Sequence, residues 1–161
     1  MYDNPESVKR VQEHLFSLNL DNSIIKLDET AASAKDAANS LKTSVGSIVK
    51  SIIFLDDRKQ CYLFLISGIN KFNNKGFHEA NNITLTKPDA SVVKEITGFS
   101  IGGVSPYGHL STPYKVYIDP DLKKYPSIFA SAGHPFYIFK TTFDELALNA
   151  NAEVAEYFEI I

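Results

Sequence analysis

The chain has 161 residues, 44% of them apolar, and carries a formal charge of −3 at neutral pH. That length supports one core and excludes two ordinary domains, so a single domain over residues 1–161 is expected. With no Lys/Arg cluster beyond Lys123-Lys124, the balance excludes a general nucleic-acid binder and a DNA-binding face; an RNA partner would have to be met locally, its end seized in a pocket. No run of about 18 apolar residues exists, and the start MYDNPESVKR lacks the apolar stretch of a signal peptide, which predicts a soluble, cytoplasmic protein with no membrane partner. The single cysteine, Cys61, has no disulfide partner within the chain, and its neighbours Tyr62, Leu63 and Phe64 predict a buried structural thiol.

In chain order, Asn4 is placed to cap a first helix with Pro5 at its first position, and Val8, Val11, Leu15 and Leu18 give that helix an apolar stripe. A turn at Asp21-Asn22 and a short strand at 23–27 follow. Thr30 then caps an alanine-rich helix to about residue 42, whose Ala31, Ala34, Ala38 and Leu41 face is thin enough to approach a sheet closely. Residues 47–55, SIVKSIIFL, are apolar at both alternating sets of positions and predict a strand covered on both faces. A turn at 56–59 leads to its antiparallel partner, QCYLFLIS at 60–67. Beyond it the pattern predicts a helix over 71–79, a strand at 83–85, and a helix over 89–96 between Pro88 and Gly98. The glycine- and proline-rich segment 98–109 predicts an ordered loop with exposed backbone amides. Strands at 114–118, 128–130 and 136–139 come next, the last two separated by a turn at 131–135, and Thr142 caps a helix over 143–148. Helices among adjacent apolar strands indicate an α+β domain with a mixed, strongly twisted, barrel-like sheet.

Three segments carry candidate chemistry. Lys50 shares a strand face with Ile48, Ile52 and Phe54, so its stem runs along apolar surface and its ammonium reaches either solvent or a cavity; left unpaired and buried it would cost several kcal/mol. Gly102-Gly103 opens a loop that matches neither GxGxxG nor GxxxxGK[ST]. The third is Ser131-Ala132-Gly133-His134-Pro135. His78, His109 and His134 lack metal-site spacing and no cysteine pair accompanies them, so no metal and no cofactor is expected. Ser105, His109 and Asp119 are the elements of a triad in composition only, without the GxSxG elbow.

Taken in order, TAASAKDAANSL, IVKSIIF, TGFSIGGVSPYGH, the strand ending Tyr117-Ile118-Asp119, and SAGHP resemble the YbaK/EbsC and prolyl-tRNA-synthetase-associated editing-domain family. The glycine segment is the most specific match, with Gly102, Gly103, Val104, Ser105 and Pro106 on the family's GxxxP loop. The resemblance implies an aminoacyl-tRNA deacylase that binds the acceptor end of tRNA(Pro) carrying a small wrong amino acid such as alanine or cysteine, with prolyl-tRNA synthetase a possible partner. It implies that Lys50 is the essential lysine, that the Gly102–Pro106 loop lies at the substrate pocket, and that Ser131, Gly133 and His134 adjoin it. Such a site needs no protein nucleophile: loop amides and the Lys50 cation position the ester for attack by water, with Lys50 as general base the second-ranked role. Where many relatives have an Asp-rich segment, this chain reads NKFNNKGFHEA, with Asn70, Asn73 and Asn74, which leaves the pocket rim open. The rival readings are a non-catalytic module that binds charged tRNA and an esterase for small molecules.

Overall fold

The computed structural model describes residues 4–20 and 23–161; the turn expected at Asp21-Asn22 lies outside them. In chain order the elements are α1 (Glu6–Ser17), β1 (Ile24–Lys26), α2 (Ala34–Leu41), β2 (Val49–Leu55), β3 (Cys61–Ser67), β4 (Asn70–Phe72), α3 (Asn74–Asn81), α4 (Ala90–Thr97), β5 (Lys115–Ile118), β6 (Ile128–His134), β7 (Tyr137–Thr141), α5 (Phe143–Asn149), β8 (Glu153–Val154) and β9 (Phe158–Ile160).

The sequence places most of these correctly, and the differences have local causes. Pro5, not Asn4, is the N-cap of α1, and its carbonyl accepts from the N–H groups of Val8 and Lys9 at 3.0 Å each. Helix α2 begins after Ser33, whose Oγ accepts from Asp36 N at 3.1 Å, while Thr30 spends its hydroxyl on Ala32 N at 3.2 Å. At the other end of the chain Thr142 does cap α5, accepting from Glu145 N at 3.2 Å.

Strand β3 has all seven residues buried and divides the interior. Cys61, Leu63 and Leu65 join Val8, Val11 and Leu15 of α1 and Phe139 in one core, while Tyr62, Phe64 and Ile66 join Phe77, Leu85 and Tyr117 in another. Burial of Cys61 pushes its thiol up to about 11, in keeping with a structural role. Strand β3 pairs antiparallel with β2 and parallel with β5, which pairs parallel with β8, giving the order β2-β3-β5-β8. A second sheet runs β1-β7-β6, and β4 pairs with β9 in a third. The α+β class and the mixed sheet are as expected, and among the described residues no sheet closes: β2 and β6 lie close together, but the backbone pairing between them is the single parallel bridge Ile48–Phe129, just ahead of β2.

Three further expectations are corrected. Lys71 and Phe72 open no helix; they lie in β4 because β9, at the far end of the chain, supplies their partner, and Phe72 stacks obliquely on Phe64 with ring centres 4.1 Å apart. Residues 83–85 form no strand, and only Thr86 bridges to Leu55. Residues 131–134 are not a turn: they extend β6 through a bulge between Ser131 and His134, where Gly133 adopts φ +100°.

Candidate functional site

A cleft of about 340 Å³ opens where β2 and β6 part, roofed by Ala31, Ala32 and Ser33 ahead of α2 and by the loop through Ile101, Gly102 and Val104. Lys50, Ser131 and His134 also line it, with Lys87 and Pro88 from the approach to α4. The outer edge of β2 forms one wall. Leu55 exchanges both backbone hydrogen bonds with Thr86 at 2.9 Å, on the side away from β3. By the alternation of an antiparallel ladder, the peptide groups of Ser51 and Ile53 face that same side, and both residues line the cleft.

Lys50 donates its ammonium to the main-chain carbonyl of Asn70 in β4. Partial burial lowers its pKa below the ordinary lysine value, and the carboxylate of Asp119 pulls in the opposite direction. That carboxylate is buried and fully engaged. It accepts from Ser67 N at 3.1 Å and Asn70 Nδ2 at 2.8 Å through one oxygen, and from Asp121 N at 2.9 Å through the other. Asn70 Nδ2 also donates to Asp121 at 2.7 Å, so a single amide bridges two carboxylates beside the lysine. Sequence reasoning marked Asn70 only as a departure from its relatives; its role depends on contacts about 50 residues away, at Asp119 and Asp121.

Hydrogen bonds within the loop from Gly98 to His109 help to fix its course. Gly103 N donates to Ser100 O at 2.9 Å. A Cβ on Gly103 would lie 2.9 Å from the Cα of His134, so glycine there lets the loop lie flush against the end of β6. Ser105 is fully buried, and its Oγ accepts from Tyr107 N at 3.2 Å. Its carbonyl accepts from His109 Nε2 at 2.6 Å. The triad drawn from composition is therefore not assembled, since His109 meets the carbonyl of Ser105 and Asp119 is bound to Asn70. Pro106 turns to a different cavity shared with His14 and Tyr107, and Gly133 faces Ser7 of α1. Of the residues singled out from sequence, Lys50, Gly102, Val104, Ser131 and His134 share the cleft, and Gly103 packs beneath it. His134 Nδ1 accepts from Phe136 N at 3.1 Å, which leaves Nε2 as the nitrogen able to meet a ligand. Among the described residues, no three His, Cys, Asp or Glu side chains gather as a metal-binding group, and no helix is long and apolar enough to cross a membrane.

His109 yields a test of loop stability. A carbonyl only accepts, so Nε2 carries the proton and the ring is neutral; burial pushes its pKa down to about 4, from 6.5. A folded-state pKa below the unfolded one contributes stability that is fully present above the unfolded value and is lost as pH falls through the folded one. Urea titrations should therefore show roughly 3 kcal/mol of stability draining away between about pH 6.5 and pH 4. His109→Gln, which keeps an N–H for Ser105 O and does not titrate, should flatten that slope; an unchanged slope would assign it to other groups.

The comparisons with known proteins fit this geometry. A family model described as the aminoacyl-tRNA editing domain matches residues 28–148, a stretch that holds α2, β2, the glycine loop and β6. The uncharacterised protein YwhH of Bacillus subtilis is 30% identical over 127 residues, covering 79% of this chain and 80% of its own. The crystal structure of a candidate trans-editing enzyme for prolyl tRNA synthetase superposes with a TM-score of 0.90 at 34% identity, over 98% of this chain and 99% of that one. The hypothetical protein APE2540 shares the fold, with a TM-score of 0.85 at 24% identity over 93% of this chain and 99% of its own. The chain belongs to the aminoacyl-tRNA editing domain family.

Proposed function

We propose that the protein is a trans-editing deacylase of the cytosol, which hydrolyses the ester of a small wrong amino acid on tRNA, with tRNA(Pro) carrying alanine or cysteine as the first candidate. The observation that carries the reading is the convergence, on one small cleft, of a half-buried lysine and a backbone loop in a family of editing domains. The relative described as acting for prolyl tRNA synthetase supports the choice of tRNA, and makes that synthetase the partner to test. Residues 1–161 would act as one editing domain.

In this reading the substrate is already activated, and the site contributes position and charge. One of the three ammonium donors of Lys50 is spent on Asn70 O, and the others can meet an anionic oxygen of the terminal nucleotide. The Gly103 amide is used within the loop, so the amides of Gly102 and Val104 are the donors assigned to the carbonyl oxygen of the ester. Water, assisted by the neighbouring ribose hydroxyl, adds to the carbonyl carbon. The bond to the ribose oxygen then breaks, and that oxygen takes the proton. Lys50 serves as a cation; burial favours its neutral form, but Asp119 and an anionic RNA end both favour the charged one. His134 Nε2 and Ser131 sit at the cleft wall as groups that orient the amino acid. The lining of Ala31, Ala34, Ala37 and Ile48 is apolar, which suits a short, weakly polar side chain such as that of alanine or cysteine. Synthetases discriminate such competitors by only about 1–3 kcal/mol per methylene, so removal after charging is useful.

The test is deacylation of tRNA with a proline anticodon, charged separately with alanine, cysteine, serine and proline, at substoichiometric protein. Turnover of a small amino acid with proline spared is the expected result. No turnover by folded protein would favour a binding module, and equal rates on free aminoacyl esters would favour a small-molecule esterase.

A further inference from the structure

One side chain fastens the glycine loop at both ends. Arg10 of α1 donates through Nη2 to Gly98 O at 3.0 Å and through Nε to Gly108 O at 3.2 Å. Its guanidinium lies 4.9 Å from the ring centre of Phe99, between those two points in sequence. Gly98 caps the C-terminus of α4 in the left-handed region, so the cation also meets the negative end of that helix. Gly98 and Gly108 have φ of +80° and +78°, the conformations that turn their carbonyls to a common donor. A Cβ on Gly98 would stand 2.3 Å from Arg10 Nη2 and one on Gly108 3.2 Å from Val11 N, so α1 is in close contact with both ends. Between them run Ile101, Gly102 and Val104, the segment that roofs the cleft. Helix α1 precedes the stretch matched by the family model, and Arg10 lies 88 and 98 residues from its acceptors, so no local pattern marks it.

We propose that Arg10 is a positioning residue for the reaction: acting through Gly98 and Gly108, it holds the loop in the form that lines the cleft, without itself touching substrate. This rests on the deacylase reading. Arg10 lines a depression with Ser7, Gly98 and Gly133, on the far side of His134 and Pro135 from the substrate cleft that those two residues also line, through which a small cation from solution can reach its place. A planar fork is needed, because two carbonyls from different ends of the loop are bound at once. Removing it raises the open population of the loop. Saturating substrate then selects the closed form again, so the loss falls on KM and spares kcat.

The experiment compares wild type, Arg10→Ala and Arg10→Lys by amide hydrogen exchange and by deacylation kinetics. Exchange across residues 98–108 should quicken about ten- to hundredfold in Arg10→Ala while β3 stays protected, and KM should rise by the inverse of the closed fraction that remains, with kcat unchanged. Millimolar guanidinium should reverse both changes in Arg10→Ala, and Arg10→Lys, with a point charge in place of a fork, should recover little. A merely structural role would lower the thermal midpoint and the active fraction, so that apparent kcat fell with KM unchanged and guanidinium gave no rescue; that result overturns the proposal. Unchanged exchange at 98–108 in Arg10→Ala overturns it as well. Should wild type turn over no charged tRNA, the proposed activity fails, and the exchange measurement still decides the clamp on its own.

Discussion

Lys50→Met should reduce kcat/KM for the preferred aminoacyl-tRNA by about a hundred- to thousandfold while leaving the protein about as stable as wild type. The two halves of that result have one cause. Burial lowers the pKa of Lys50 more than Asp119 raises it, so the folded state holds the proton less well than the unfolded chain does. With a folded-state pKa below the unfolded one, stability linked to this group is full only above the unfolded value and has been lost once pH falls below the folded one. At neutral pH the charged ammonium is thus a standing cost, retained beside apolar Ile52 and Phe54. Methionine fills a similar volume without the charge, and the gain from removing that charge is offset in part because the carbonyl of the buried Asn70 loses its donor. Lys50→Arg keeps the charge but brings a longer planar head to a pocket shaped for a point donor, and is expected to recover less than a tenth of the activity. Single-turnover deacylation with urea unfolding on the same preparations checks both halves. A folded Lys50→Met protein with wild-type turnover would remove Lys50 from the mechanism.

Much of this site can be read in the sequence because its signals are local. A lysine inside SIVKSIIFL is conspicuous whatever surrounds it, and GGVSP concentrates glycine where backbone must pass close to backbone, as Gly103 does against His134. Helix α4 is framed by Asp89 and Gly98, and α5 by Thr142, through contacts within four residues. What escapes such reading depends on distant partners. Phe72 looks helical beside Asn73 and Asn74 until β9 is seen to pair with it. Ser131 to His134 reads as a turn because serine, glycine and proline cluster there, and only the register with β7 shows a bulged strand. Asn70 and Arg10 are ordinary polar residues in sequence, and each acquires its role from atoms brought to it by the fold.

Asn70→Asp should cost about 3–5 kcal/mol at pH 8 and distinctly less at pH 5, although the change replaces one atom type. Asn70 is 1% exposed and Asp119 is 1% exposed, and the bridging Nδ2 stands within 2.8 Å of Asp119 and 2.7 Å of Asp121. Carboxylates only accept, so those two contacts dictate which end of the amide faces them; they also leave Oδ1 buried without a partner. The variant places an acceptor between two acceptors and adds a third negative charge beside the buried Asp119 and the partly exposed Asp121, which one proton must relieve. The new carboxyl's folded-state pKa is therefore raised above its unfolded value, so its penalty is absent in acid, where both states are protonated, and grows as pH rises to the folded value. Asp121 shifts in step: Lys124 and then Asn70 hold its carboxyl below the usual range, and only the first hold survives. Urea unfolding at the two pH values provides the measurement, and equal stability of variant and wild type at pH 8 would contradict the network. Because Lys50 is anchored by the main-chain carbonyl of residue 70 and not by its side chain, deacylation at pH 5 should persist in whatever fraction stays folded. An amide at this position thus keeps two carboxylates apart beside the lysine, and an acidic residue there is tolerated only where a proton or a further cation is supplied.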